Sequence, residues 1–317
     1  MTGKYLYGII KRYTSLNLDG LTTVAHQSLA AVVAEKEVKD YHRLPKAETV
    51  KELISHQQII EKIMEQSPIL PVKFGTILKN EEEVTSVLDK DYLFLYNTLQ
   101  KLEDKIELDL VCFWNEPKAA QMAFQESKRI QNMQKKISKK GEVPLEDKIV
   151  LGKLVTVYLA SKKEKISSKI LKTLKKETVE NCGHALADVN MLLNQAFLVE
   201  KDKQEAFNNA LDRLDSKFAD LVNFRLVGPL PPYSFATLVI DSLDEKEVAK
   251  ARGTLGLNGQ LSLKKLKQTY NKLAMKLHPD KGGTPLEFEP MTTAYKLLKN
   301  FIQNGLVAVS VYKWEER

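Results

Sequence analysis

Two cysteines in 317 residues, Cys112 and Cys182, are too few for a disulfide framework, and such sparing use gives no sign of an oxidising compartment. Histidine is scarce too, with five in the chain. Cys182-Gly-His184 offers two metal ligands, but no second Cys/His pair lies nearby to complete a tetrahedral site, so no metal and no other cofactor is expected. Long apolar runs are missing. None approaches the roughly 20 residues that a membrane-spanning helix needs, and Met1-Thr-Gly-Lys4 leads straight into the strand-like Tyr5-Leu-Tyr-Gly-Ile-Ile10. A cytoplasmic, untargeted protein with no membrane partner is the expectation.

What is present is an ordinary globular composition, 43% hydrophobic and 28% charged, in a chain long enough for two or three domains and a sizeable core. The formal charge of +7 is unevenly spread. Between Lys128 and Lys176 stand fifteen Lys/Arg against four Asp/Glu. Such a helical block meets nucleic acid or an acidic protein surface, or is simply a solvated face. Lysine dominates it, Arg129 is its only arginine, and aromatic stacking platforms are few, so nucleic acid is not an expected partner.

Periodicity divides the chain. Residues 4 to 10 and about 21 to 35 read as strands, with Ser15, Asn17, Asp19 and Gly20 between them. Val50, Leu53, Ile54, Ile60, Ile63 and Met64 recur at helical spacing, and the helix closes before Pro68. Ile69 to Ile77 is short, apolar and β-rich, a helix follows over 81–105 and a strand over 108–114. Residues 1–115 thus take the order β-β-α-β-α-β. Residues 116–183 read as an antiparallel helical hairpin, broken at 141–144, that connects two sheet domains. Beyond it, Phe207, Ala210, Leu211, Leu214, Phe218 and Leu221 mark a core-facing helix, with Asp202 and Glu205 at capping-box spacing. Residues 184–317 then run β-α-β-β-α-β, the order of a split ferredoxin-like unit. The expected class is α+β: two ferredoxin-like α/β sheet domains joined by the hairpin, with a helical insert over 245–302.

Gly228-Pro-Leu-Pro-Pro-Tyr-Ser-Phe-Ala236 separates two β-like runs, Leu221 to Val227 and Tyr233 to Ile240. Pro229, Pro231 and Pro232 each fix φ and lack a donor, so with Gly228 and Tyr233 they make a rigid corner that cannot lie in a central strand. In this corner, in Leu70-Pro-Val-Lys-Phe-Gly-Thr76, in the opening Tyr-Leu-Tyr-Gly-Ile-Ile and in Ser55-His-Gln-Gln58, the chain resembles the gas vesicle protein F/L family over nearly its whole length. The resemblance implies a cytoplasmic, non-enzymatic protein that helps assemble the gas vesicle shell, as assembly factor or minor component, through contact with the small hydrophobic shell protein. Pro71, Val72, Lys73, Phe74 and Gly75 read in two ways: as a buried strand whose Phe74 packs into the core, or as an edge on which a partner strand docks.

The insert at 245–302 resembles a J-domain. Glu245 to Leu257 looks like its first helix. Ser262 caps a second, with Leu266, Tyr270, Leu273, Ala274 and Leu277 on one face and Lys265, Lys272 and Lys276 on the opposite one. His278, Pro279 and Asp280 follow as an exposed loop, because Pro279 disfavours helical geometry at His278. The resemblance implies docking of these lysines and of the tripeptide on the acidic surface of an Hsp70-type chaperone. A catalytic role for His278 and Asp280 is not expected, since they flank a proline and imply no nucleophile. In place of a fourth helix, Leu306 to Tyr312 reads as a strand returning beside residues 233–240. Two readings of the insert stay open, chaperone recruitment and a sheet cover. A general J-domain co-chaperone is the alternative function, with a nucleic-acid binder behind it.

Overall fold

The computed structural model describes residues 2–14, 16–39, 41, 43–139, 143–243, 245–278, 284–304 and 307–312. They form two compact units, one from Met1–Gln57, Val72–Asn97 and Leu238–Val311, the other chiefly from Gln58–Pro71 and Thr98–Thr237.

In the first unit, β1 (Thr2–Lys11) pairs antiparallel with β3 (Leu29–Glu37) and β5 (Ile77–Leu78), and β3 pairs with β2 (Thr22–His26). Tyr5 to Ile10 are buried without a break, the mark of a strand covered on both faces. Helix α1 (Lys46–Gln66) lays His56 on Tyr5 and Tyr7. After the two-residue strand β4 (Leu70–Pro71) comes α2 (Glu81–Lys90), which sets Val84, Val87 and Leu88 against β2 and β3. Asn80 caps α2 by accepting from the Glu83 N–H at 2.9 Å. The strand expected over 21–35 is a hairpin turning at Gln27, whose φ of 51° is left-handed. Neither Gly nor Asn marks that turn, so the sequence carried no hairpin signature there. The helix expected over 81–105 stops at Asp91 and resumes as α3 (Tyr92–Leu102).

The second unit is built on an antiparallel sheet of order β7-β8-β6-β9, with β6 (Lys105–Trp114), β7 (Glu180–Gly183), β8 (Met191–Glu200) and β9 (Val222–Leu230). This corrects two expectations. The strand expected at 108–114 belongs to this sheet and not to that of β1. The 116–183 segment is part of the unit and not a separate connector. Helices α4 (Glu116–Glu126), α5 (Lys128–Ser138), α6 (Leu145–Leu174) and α7 (Gln204–Phe218) follow β6 and β8 in the chain. Ala119 of α4, Ile166, Ile170 and Leu174 of α6, and Phe207, Ala210, Leu211 and Leu214 of α7 share one core with Ile106, Leu108, Leu110, Cys112 and Trp114 of β6. The physical reason is β6 itself: ten residues alternating apolar toward the helices, paired on both edges. Periodicity reveals such a strand but not the sheet it joins. The capping box expected at Asp202 is absent, since a 3-10 turn over Lys201–Lys203 precedes α7 and Lys203 makes no side-chain cap.

At the C-terminal end, β10 (Thr237–Ser242) pairs with β11 (Val307–Tyr312), as expected for the returning strand. The β-α-β-β-α-β sheet expected over 184–317 is not formed, because β8 and β9 flank β6 while β10 and β11 pair with each other. Between the last two strands, α8 (Glu245–Thr254), α9 (Leu263–Leu277) and α10 (Pro285–Asn304) enclose a core of their own around Leu255, Leu266, Met291 and Leu298.

Phe207 is fully buried and meets Phe197 at 5.3 Å between ring centroids. Phe207→Ala is expected to cost about 3–5 kcal/mol in urea unfolding of the second unit. A loss below about 1 kcal/mol would show that this core collapses around the gap.

Candidate functional site

The Pro71–Gly75 segment is held on both sides. Val72 N–H donates to the Tyr7 carbonyl at 2.9 Å, and Lys73 N–H to the Leu238 carbonyl at 2.9 Å, beside a parallel bridge from Val72 to Leu238. The edge on which a partner strand was one expectation is therefore occupied within the chain. Pro71 and Val72 are buried, Phe74 and Gly75 half-buried and Lys73 exposed. Phe74 packs on Tyr41 at 4.7 Å and edge-on to His56 at 5.5 Å. Val72 is buried as the core reading expects, but Phe74 is only half-buried and residues 73–76 form a turn instead of a strand, closed by Thr76 Oγ1 donating to the Lys73 carbonyl at 2.7 Å.

A polar chain under this turn holds it in place. His56 Nε2 lies 3.2 Å from the Val72 carbonyl, which only accepts, so Nε2 carries the proton. Nδ1 then accepts from the Tyr5 hydroxyl at 2.9 Å, and that hydroxyl accepts the Gly75 N–H at 3.3 Å. Burial pushes the His56 pKa down to about 4, so the ring stays neutral. Gly75 has φ +84°, and a Cβ there would meet Tyr41 Cδ2 at 3.1 Å.

The corner is pinned more tightly. Pro229 lies in β9, an edge strand, where a missing N–H costs little. Glu107 opposes Leu230 and Asp109 opposes Val227, so Gly228 and Pro229 together face the single residue Leu108 in a bulge. Gly228 has φ +141°, and a Cβ there would come within 2.8 Å of Leu108 Cδ2 and 2.9 Å of the Glu107 carbonyl. The chain then turns through Pro231, Pro232 and Tyr233, with the Ala236 N–H donating to the Pro232 carbonyl at 2.9 Å. The strand expected from Tyr233 therefore begins only at Thr237, and the corner leads from one sheet into another rather than between neighbouring strands.

The turn delivers Ser234 to Glu107. Ser234 N–H donates to Oε2 at 2.8 Å and its hydroxyl to Oε1 at 2.7 Å, with His184 Nε2 3.3 Å from the same hydroxyl. Burial pushes the Glu107 carboxyl up to about 8, the Asp109 carboxylate adds to the rise, and the bonds from Ser234 oppose it. Asp109 is raised as well, by burial first and against the pull of His184. The Tyr233 hydroxyl is buried without a hydrogen-bond partner among the described residues. Sequence reasoning missed Glu107 and Asp109. Two carboxylates at i and i+2 on one face of an otherwise apolar strand were the available signal.

In the C-terminal helices Ser262 caps α9 as expected, accepting from the Lys265 N–H at 3.3 Å. Lys272 and Lys276 are exposed, whereas Lys265 Nζ donates to the Asn258 carbonyl at 2.9 Å. His278 ends α9 in extended geometry and packs edge-on against Phe288 at 5.1 Å. Pro279 and Asp280 lie outside the described residues. Among the described residues no cluster of His, Cys, Asp and Glu suits a metal ion, and no helix is long and apolar enough to cross a membrane.

The family model for gas vesicle synthesis protein GvpL/GvpF matches residues 3–237. The chain belongs to this family. The match takes in β1 to β9, the Pro71–Gly75 turn and the whole corner, and stops where β10 begins. Gas vesicle protein F of a Nostoc species is 27% identical over 249 residues, which are 75% of this chain and 99% of that protein. Gas vesicle protein F2 of Halobacterium salinarum is 26% identical, over 74% of this chain and 93% of its own. The crystal structure of GvpF from an Anabaena species superimposes with a TM-score of 0.60 at 25% identity, covering 74% of this chain and 98% of that one. Membership of the GvpL/GvpF family gives the chain a role in gas vesicle formation, with α8–α10 beyond the part matched by the family model.

The proton on Glu107 has a measurable consequence. Between its ordinary value of 4.5 and about 8 the folded chain keeps a proton that the unfolded chain releases. Stability from this group is complete below the lower value and is lost as pH rises, by at most about 1.4 kcal/mol per unit. Glu107→Gln, an isostere of the protonated acid, is expected to flatten that part of the profile in urea titrations. Parallel profiles for the two proteins would contradict the assignment.

Proposed function

We propose that this chain is a non-enzymatic assembly factor or minor component of gas vesicles, acting in the cytoplasm and at the vesicle by binding the small shell protein. The observation that carries the reading is the family match over residues 3–237. The chemistry of the two buried polar clusters agrees with it. His56 is kept neutral between Tyr5 and a backbone carbonyl, and Ser234 gives both its donors to Glu107. Side chains committed in this way to holding turns are poorly placed to act on a substrate. Vesicle-forming cells deprived of this chain are expected to lose gas vesicles in electron micrographs, and the full chain drawn from complemented cells is expected to carry the small shell protein. Unchanged vesicles together with a pull-down free of shell protein would refute the proposal.

A second role is favoured by the helices that follow β10. They have their own core, they present Lys272 and Lys276 to solvent, and His278 leaves α9 in extended geometry ahead of Pro279. That arrangement suits recruitment of an Hsp70-type chaperone, which would keep shell subunits apart before assembly. The full chain is expected to raise the chaperone's ATP hydrolysis, and His278→Gln to abolish the increase. Equal rates with the two proteins would leave α8–α10 as a cover.

A further inference from the structure

We propose that the trough between α5 and α6 is the docking site for an amphipathic helix of the partner protein, one with an apolar seam and carboxylates along both rims. The inference rests on the assembly role proposed above, and it names the surface and chemistry through which that role is exercised.

The two halves of α6 behave differently. Ile166, Ile170 and Leu174 of its C-terminal half are buried in the core of the second unit. In its N-terminal half Ile149, Val150 and Val157 are 48%, 45% and 69% exposed, and Leu145 72%. Residues 154–161 carry no charge at all. Leu154, Val155, Tyr158 and Leu159 of that run are half-buried, while Leu145, Ile149, Val150 and Val157 leave large apolar side chains in water along the same helix, the kind of exposure that marks a contact surface.

The patch has a floor and walls. Val150, Leu154 and Val157 stand at i, i+4 and i+7, one line along α6. Leu154 also lines a groove of about 380 Å³ together with Met133, Arg129, Asn132 and Lys136 of α5. Met133 and Leu154 give this open groove an apolar floor, and the exposed Val150 and Val157 continue the apolar line along α6 beside it. Arg129 and Lys136 form the wall on the α5 side, while Lys153, one position before Leu154, is exposed on the far side of the line. Among the described residues no ion pair involves Arg129, Lys136 or Lys153, whereas the nearby Glu126 is bound by Lys162 at 2.7 Å and by Tyr158.

Charge chooses the occupant. A second copy of this surface would bring like-charged rims together, and a segment with fifteen cations against four anions disfavours that pairing. Nucleic acid would find phosphate-binding lysines but would leave the apolar floor in water. An amphipathic helix with acidic rims satisfies floor and walls at once, the helix-in-groove mode of recognition.

The test uses the full chain and a fluorescent synthetic helix with a leucine/alanine seam flanked by glutamates, compared with the same peptide flanked by lysines. The glutamate-rimmed peptide is expected to bind, and Val157→Asp and Lys136→Glu are each expected to weaken it about tenfold or more. Both positions are exposed, and circular dichroism checks that the variants fold. Equal binding of the two peptides, indifference to both substitutions, self-association through the trough in sedimentation, or binding of anionic vesicles alone would each overturn the proposal. Shell-protein co-purification separates the two ideas. If Val157→Asp retains the shell protein as well as the wild type does, the trough is refuted and the assembly role stands. If the wild type carries no shell protein while the glutamate-rimmed peptide binds in a Val157-dependent way, the assembly reading fails and the trough stands.

Discussion

A buried carboxyl group that has to be given hydrogen-bond partners organises the second unit of this protein. Glu107 lies on the central strand β6, almost wholly removed from water, and accepts the backbone and hydroxyl hydrogens of Ser234 from 127 positions further along the chain. A buried carboxyl without partners would destabilise the fold. Ser234 reaches it only because the bulge at Gly228 and Pro229 and the turn through Pro231 and Pro232 bend the backbone back toward β6. The prolines narrow the available conformations, the glycine permits the close approach to Leu108, and the carboxyl selects the one arrangement that satisfies it.

The same device recurs in the first unit in neutral form. His56 links the Tyr5 hydroxyl of β1 to the Val72 carbonyl, and Tyr5 passes the connection on to Gly75. In both places the residues serve geometry: a glycine where a Cβ would collide, prolines where donors are not needed, and one buried polar side chain that fixes the register. The surfaces to which binding is assigned above are made by helices instead. The exposed valines of α6 and the lysines of α9 are side chains the fold can vary without disturbing either turn.

Elements with strong local signals were legible in the sequence. The stripe from Phe207 to Leu214 is the buried face of α7, the helix ending before Pro68 is α1, Ser262 caps α9, and the strand after Asn304 returns to β10. What was not legible depended on long-range pairing or on turns without a signature. A left-handed Gln27 hides a hairpin, and the alternation in β6 says nothing of which strands flank it. Asp202 has the spacing of a cap, but a 3-10 turn takes its place. The candidate site followed the same division. Gly228 and its prolines announced a corner, whereas its anchor, Glu107, is distant in sequence and shows only as an acid where a strand is otherwise apolar.

Hydrogen exchange at the Ser234 amide tests the pinned corner most directly. The N–H sits in a turn, yet it is donated to a buried carboxyl on the central strand, so it is expected to exchange as slowly as amides in the middle of β6, through global opening of the second unit. Exchange at the rate of an exposed turn amide would show that the corner moves independently of β6, and that the contact with Glu107 does not hold it.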